Sequence, residues 1–192
     1  MKKTLQDLTP EEWGKLFPIE ISDYKPEWPN TFLLEKEKIK NIISSKIILR
    51  IEHFGSTSIP NLPSKDSIDI LIAIPKEKLF SNSIVEKMKS IGYDFFKQEG
   101  FGQDYMIFAK GFSLDHKKEQ QFFIHMTTVD HEDLWDRIYF RDYLRQHPDI
   151  AKDYASLKYE LAQKFHNHRV NYRIGKGEFV KYITQIAKSA LE

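Results

Sequence analysis

The stretch Ser67-Ile68-Asp69-Ile70-Leu71-Ile72-Ala73-Ile74 constrains the fold of this chain more than any other. Isoleucine at every even position, with apolar residues at 71 and 73 as well, reads as a strand buried on both faces, and Pro75 ends it. A strand of that kind belongs inside a sheet with cover above and below. Its one charged residue is Asp69, which the two-residue period places on the less apolar face. The clean apolar run within it, Ile70 to Ile74, is far too short to span a membrane.

The segments around it supply the cover. Thr9-Pro10-Glu11-Glu12 is a capping box with proline at the first helical position, opening a short helix to about Leu16. From Trp28 to Ser44, Phe32, Leu33, Ile39, Ile42 and Ile43 fall on one helical face, with Glu35, Lys36, Glu37, Lys38 and Lys40 largely opposite. Ile47 to His53 alternates as a strand. Ser83 and Glu86 form a second capping box, whose helix should end at Gly92. Strands are expected at Tyr93 to Phe96, Asp104 to Ala109 and Gln120 to Thr128, two of them forming a hairpin, with Asp115 to Glu119 as the last connection. The remainder reads as helices over about 131–146, 149–167 and 177–190. With no repeat and no linker-like stretch, the expectation is one α+β domain over residues 1–192. It comprises an N-terminal extension (about 1–22), a sheet-containing core (about 23–128) and a helical C-terminal third (about 129–192).

Composition narrows the chemistry. In 192 residues, 29 Lys and Arg stand against 28 Asp and Glu, so no global charge points to nucleic acid or an anionic membrane. Without cysteine there is neither a disulfide framework nor a thiolate nucleophile or metal ligand. The start, MKKTLQDLTPEEW, lacks the apolar stretch of a secretory signal, and a cytoplasmic protein is expected.

The strongest local pattern for a site is a strand, then Gly55-Ser56-Thr57-Ser58, then the strand carrying Asp69. A Gly-Ser turn leaving a strand lets backbone N–H groups and hydroxyls approach a phosphate, and a short helix starting at Ser56 would add its positive end. A carboxylate on the next strand can then hold Mg²⁺ against that phosphate. Read as structure alone, the same residues are an ordinary turn and a hydrogen-bonded buried aspartate.

The pattern extends beyond the turn. IEHFGSTSIP, SKDSIDILI, IHM, YFRDYLRQHPDIAKDYASLK and NHRVNYRIGKGEFV, in that order, resemble the GrpB family, a branch of the nucleotidyltransferase superfamily, and the N-terminal TPEEWGKLFPIEISDYKPEWPNTFLLEK resembles a subgroup of it, so that together they cover about Leu5 to Ala187. The resemblance implies a nucleotidyltransferase-like small mixed sheet with helices. In active members of that superfamily a Gly-Ser turn grips the nucleotide phosphates, and a D-h-[DE] pair with a third carboxylate binds two Mg²⁺ ions. Here the turn is Gly55-Ser56 and the first carboxylate Asp69, but the second position is Leu71. The family's H-L-H string on the later strand survives as His125, with Phe123 at its first histidine. Asp66 stands where the family usually has proline and is read as a turn residue. Lys65 beside it matches the family.

Two site expectations follow. Asp69 and His125, joined by Glu52 or His53 from the first strand, would form one divalent site, for which carboxylate plus imidazole suits Mn²⁺ or Zn²⁺ better than Mg²⁺. Alternation puts Asp69 and His125 on one side of the sheet. Gly55, Ser56, Thr57, Lys65, Arg141, Lys158, Arg169 and Lys176 would contact phosphate, the last four from a stretch, Arg141 to Lys176, with eight Lys and Arg and four acids. The first functional reading is a metal-dependent nucleotidyl- or phosphoryl-transferase acting through Asp69 and His125 on a nucleotide or another phosphate-bearing small molecule. The second is a catalytically degenerate binding or accessory module, consistent with Leu71 and Phe123 and with the occurrence of GrpB-like domains fused to a coenzyme A biosynthetic kinase.

Overall fold

A computed structural model of the chain describes residues 4–96, 105–115 and 119–190. Strands β1 (Arg50–Phe54), β2 (Ser67–Ala73), β3 (Asp94–Phe96), β4 (Met106–Lys110) and β5 (Gln121–Thr127) form one sheet in the order β1-β2-β5-β4-β3. The pair β2 and β5 is parallel and the other pairs are antiparallel. Asp104, expected at the start of β4, and residues 116–118 of the expected β4–β5 connection lie outside the described residues.

Helices α1 (Pro10–Leu16), α2 (Trp28–Ile43), α3 (Asn82–Ser90), α4 (Glu132–Gln146), α5 (Pro148–Lys164), α6 (Arg169–Gly175) and α7 (Gly177–Ser189) cover it. The even residues of β2, with Phe122, Ile124 and Met126 of β5, meet Trp28, Phe32, Ile39 and Ile43 of α2 and Ile84, Val85 and Met88 of α3. On the second face Leu71, Ala73 and Phe54 lie under Leu134, Trp135 and Ile138 of α4. At another corner Ala109 meets Phe17 and Phe112, with Trp13 of α1 beside them. Apolar cover on both faces is why β2 reads as a nearly continuous hydrophobic run. The mixed sheet with helices expected from the sequence is therefore the architecture of the chain.

Three local readings are corrected. Glu35, assigned to the charged face of α2, lies inside its buried stripe, where it accepts hydrogen bonds from Lys110 Nζ (2.7 Å), Lys38 Nζ (3.1 Å) and the Tyr93 hydroxyl (3.1 Å). Burial opposes its charge, but these donors outweigh it and hold its pKa below the ordinary value. Helix α3 begins at Asn82 after Ser81, not at Ser83, and Glu86 pairs with Lys89 instead of closing a capping box. Between α5 and α7 the polar segment after His168 forms α6, a helix too short to carry an apolar stripe. The Thr9–Glu12 capping box is formed in both directions (3.0 and 3.2 Å).

The C-terminal helices form a second layer. Phe140 and Leu144 of α4 pack with Ala151, Tyr154 and Ala155 of α5 and Ile183 of α7. At the α4–α5 junction His147 stacks on Tyr143 at 3.8 Å and its Nδ1 meets the Tyr143 carbonyl at 2.8 Å. The N-terminal segment is tied to this layer. Arg169 Nη1 donates to the Phe17 carbonyl (2.7 Å), and Gly14 lies so close to Asn167 that a β-carbon would sit 1.7 Å from its carbonyl oxygen. Among the described residues, no helix is long and apolar enough to cross a membrane.

Candidate functional site

Strand register decides which polar residues can meet. Phe54, Asp69 and Phe123 form one cross-strand row, and Glu52, Leu71 and His125 the next, all on the face toward α4. Asp69 and His125 thus share a face. His53, paired with Ile70, points to the other one, where it stacks on Phe32 at 4.9 Å and its Nε2 meets Thr57 Oγ1 at 3.0 Å. It cannot join Asp69 and His125 in a metal site, because successive residues of a strand face opposite sides.

Beyond β1 the chain turns at Gly55, with φ +70° and ψ −177°, a conformation essentially reserved for glycine. A β-carbon there would lie 2.2 Å from Asp69 Oδ2, so the turn is seated directly on that carboxylate. Ser56 is half-buried, and its side chain hydrogen-bonds the Tyr154 hydroxyl. Thr57 turns inward: its hydroxyl donates to the Ser67 carbonyl (3.2 Å) and meets His53. With no exposed surface it is a clamp between β1 and β2 and not the phosphate contact expected. Asp66 is likewise structural, accepting from Lys25 Nζ (2.5 Å) and Trp28 Nε1 (2.8 Å).

Cations converge on Asp69. Lys65, Arg137, Lys176 and Arg169 are the charges acting on its carboxylate, and Arg173 acts on Lys176, Arg137 and His125. Lys65 and Lys176 lie over the same ring, that of Tyr172, at 5.7 and 4.4 Å, and Arg137 lies over Phe54 at 5.5 Å. Arg169 is aimed by its bond to Phe17. Arg137 was not foreseen. It sits one helical turn before Arg141 on α4, outside the basic stretch, and the signal that would have found it is this i, i+4 spacing.

Two expected phosphate ligands serve the fold instead. Arg141 donates to Glu52 Oε2 (2.9 Å), the His53 carbonyl (2.8 Å) and Asp142 (2.7 and 3.0 Å), which occupies its guanidinium. Lys158 is buried with its Nζ on the Pro63 carbonyl, and burial followed by the charge of Lys176 lowers its pKa to about 7.

Crowding shapes the protonation of this cluster. Burial raises the Asp69 pKa against the pull of the cations around it, and burial with Arg169 and Lys176 lowers that of Lys65. Lys176 is pushed down to about 8, chiefly by burial, with Arg137, Arg169 and Arg173 opposing Asp69. His125, between the rings of Phe54 (5.5 Å) and Tyr105 (5.7 Å), is kept neutral by burial and then by Arg137 and Arg173, and its Nδ1 is buried without a hydrogen-bond partner. A cluster of half-buried cations around one carboxylate favours a bound anion.

A divalent metal fits these residues poorly. Mg²⁺ and Mn²⁺ need several oxygen ligands, and among the described residues no group of three or more His, Asp and Glu is placed to hold a metal ion. Glu52, although on the right face, is bound by Arg141 and Arg50 (2.9 and 3.1 Å). Leu71, at the missing second carboxylate, is fully buried under α4, and Phe123 packs on Phe112 at 4.9 Å.

The GrpB protein family matches residues 18–186 of the chain. The UPF0157 protein YqkA of Bacillus subtilis is 37% identical over 88% of the chain, which spans about half (47%) of that protein. The glutamate-rich protein GrpB of Alkalihalophilus pseudofirmus is 31% identical over 83% of the chain and 90% of its own length. The crystal structure of the conserved protein GrpB from Enterococcus faecalis superposes with a TM-score of 0.77 at 30% identity, covering 90% of the chain and all of that structure.

Proposed function

The chain belongs to the GrpB family, and from that premise we propose that the cationic cluster around Asp69 binds a nucleotide or another phosphate-bearing small molecule. The observation that carries this is the convergence of Lys65, Arg137, Arg169 and Lys176 on the single carboxylate of Asp69, beside the Gly55-Ser56 turn. Arginine guanidinium groups grip phosphate oxygens in pairs, and lysines add point charges. Ser56 supplies a hydroxyl at the same edge, and the Tyr172 ring holds both lysines from below. Asp69, seated under the turn, aligns these cations and keeps them from repelling one another outright. The neutral His125 offers a polar nitrogen at the floor.

Binding without transfer is the reading favoured here. Nucleotidyl transfer as the wider superfamily performs it depends on metal ions that stabilise the attacking and leaving oxygens, and here Leu71 stands in place of the second carboxylate and Phe123 in place of the first histidine on the later strand. The test is calorimetric titration of the protein with ATP, CTP, GTP, UTP and inorganic phosphate, repeated on Arg169→Ala and Lys176→Ala. Saturable binding weakened at least about tenfold in each variant is expected, as for loss of a charged hydrogen bond. Absence of binding, or binding indifferent to both substitutions, refutes the proposal. Turnover of a nucleoside triphosphate by the unmodified protein would restore the transferase reading.

A further inference from the structure

Resting on that binding reading, we propose that the cluster takes the phosphates of its ligand as a free polyanion and that Mg²⁺ competes with the protein for them. The geometry supplies donors in excess. Among the described residues, the side chains of Lys65, Lys176 and Arg137 make no hydrogen bond or ion pair; they lie over the faces of Tyr172 and Phe54. Arg169 spends one nitrogen on Phe17 and keeps the rest of its fork. Arg173 adds a fifth charge. Asp69 opposes them at the centre, and Asp133 acts on Arg137 from the exposed start of α4.

The open donors of Lys65, Lys176, Arg137 and Arg169 need acceptor oxygens, and a polyphosphate chain offers several on adjacent phosphorus atoms. Mg²⁺ removes them from use, because it binds those same oxygens, keeps several waters and lowers the ligand's charge by two. A magnesium ion carried into the cluster would also stand among five cations, with Asp69 at their centre as the carboxylate to receive it. The place where a second carboxylate would help is filled by Leu71 beneath Leu134 and Trp135.

The probe is inorganic triphosphate, titrated calorimetrically into the unmodified protein in EDTA and in excess Mg²⁺ at matched ionic strength. Affinity at least about tenfold weaker in Mg²⁺ is expected, the loss of one or more charged hydrogen bonds. Equal or tighter binding in Mg²⁺ overturns the inference and leaves the binding reading standing, whereas no binding in either buffer overturns both.

Discussion

A β-carbon on Gly55 would stand 2.2 Å from Oδ2 of Asp69, so the turn and the carboxylate occupy one another's only available space. With φ +70° and ψ −177° the backbone at Gly55 is itself closed to other residues. Gly55→Ala should cost about 3 kcal/mol of stability or more, from backbone strain and displacement of Asp69 together. It should also abolish anion binding. Urea denaturation measures the first effect and titration the second. Adding Asp69→Ala should recover only part of the lost stability, because the strain remains.

Burial, followed by the charges of Arg145 and Arg141, lowers the His53 pKa from 6.5 to about 3. Its neutral form is the folded form, so the unfolded chain takes up the proton first as pH falls. The stabilisation is complete above about 6.5 and is lost progressively toward 3, at up to about 1.4 kcal/mol per pH unit. His125 is shifted in the same direction and adds to the slope. Unfolding free energies between about pH 7 and pH 5 should therefore fall steeply in the native sequence. His53→Gln should be less stable at neutrality but flatter across that range by about one proton's slope, and an unchanged slope would rule His53 out.

Glu35 holds Lys110, Lys38 and Tyr93 from inside the core face of α2. Glu35→Ala strands the Lys110 ammonium and should cost about 3 kcal/mol, the low end for a broken buried pair because both lysines reach solvent. Since its pKa is depressed, this stabilisation is present above the unfolded value of 4.5 and lost as pH falls through the lower folded value. Glu35→Gln should remove that part of the acid sensitivity. Equilibrium unfolding below about pH 5 would reveal it.

Thr57 and Lys176 should separate stability from binding. Thr57→Val loses the bonds to Ser67 and His53 and should cost about 1–2 kcal/mol with anion affinity unchanged. Lys176→Ala should leave the unfolding midpoint nearly unchanged and reduce affinity about tenfold. If Thr57→Val weakens binding as much as Lys176→Ala does, the inward placement of the hydroxyl is wrong.

The sheet was legible because period-two alternation is strong wherever one face is all isoleucine, as in β2, and the same period put Asp69 and His125 together. It also decides between Glu52 and His53, since adjacent strand residues cannot share a face and the two are therefore not equivalent ligands. Other features depend on contacts that no local pattern encodes. Glu35 looks solvated until Lys110, distant in sequence, arrives to neutralise it. Arg141 looks available until Glu52 and the His53 carbonyl take it. Arg137 lay just outside a stretch defined by charge density, although position on a helix face, and not density, determines what an arginine meets.

The match to the family begins at residue 18, and the carbonyl that steadies Arg169 belongs to Phe17. One aim-setting contact of the site therefore comes from the N-terminal segment, which Gly14 docks against Asn167. A homologue with a different N-terminal segment would keep the arginine without the fixture that points it. Ligand preference can diverge between such proteins through a segment that only holds the arginine in place.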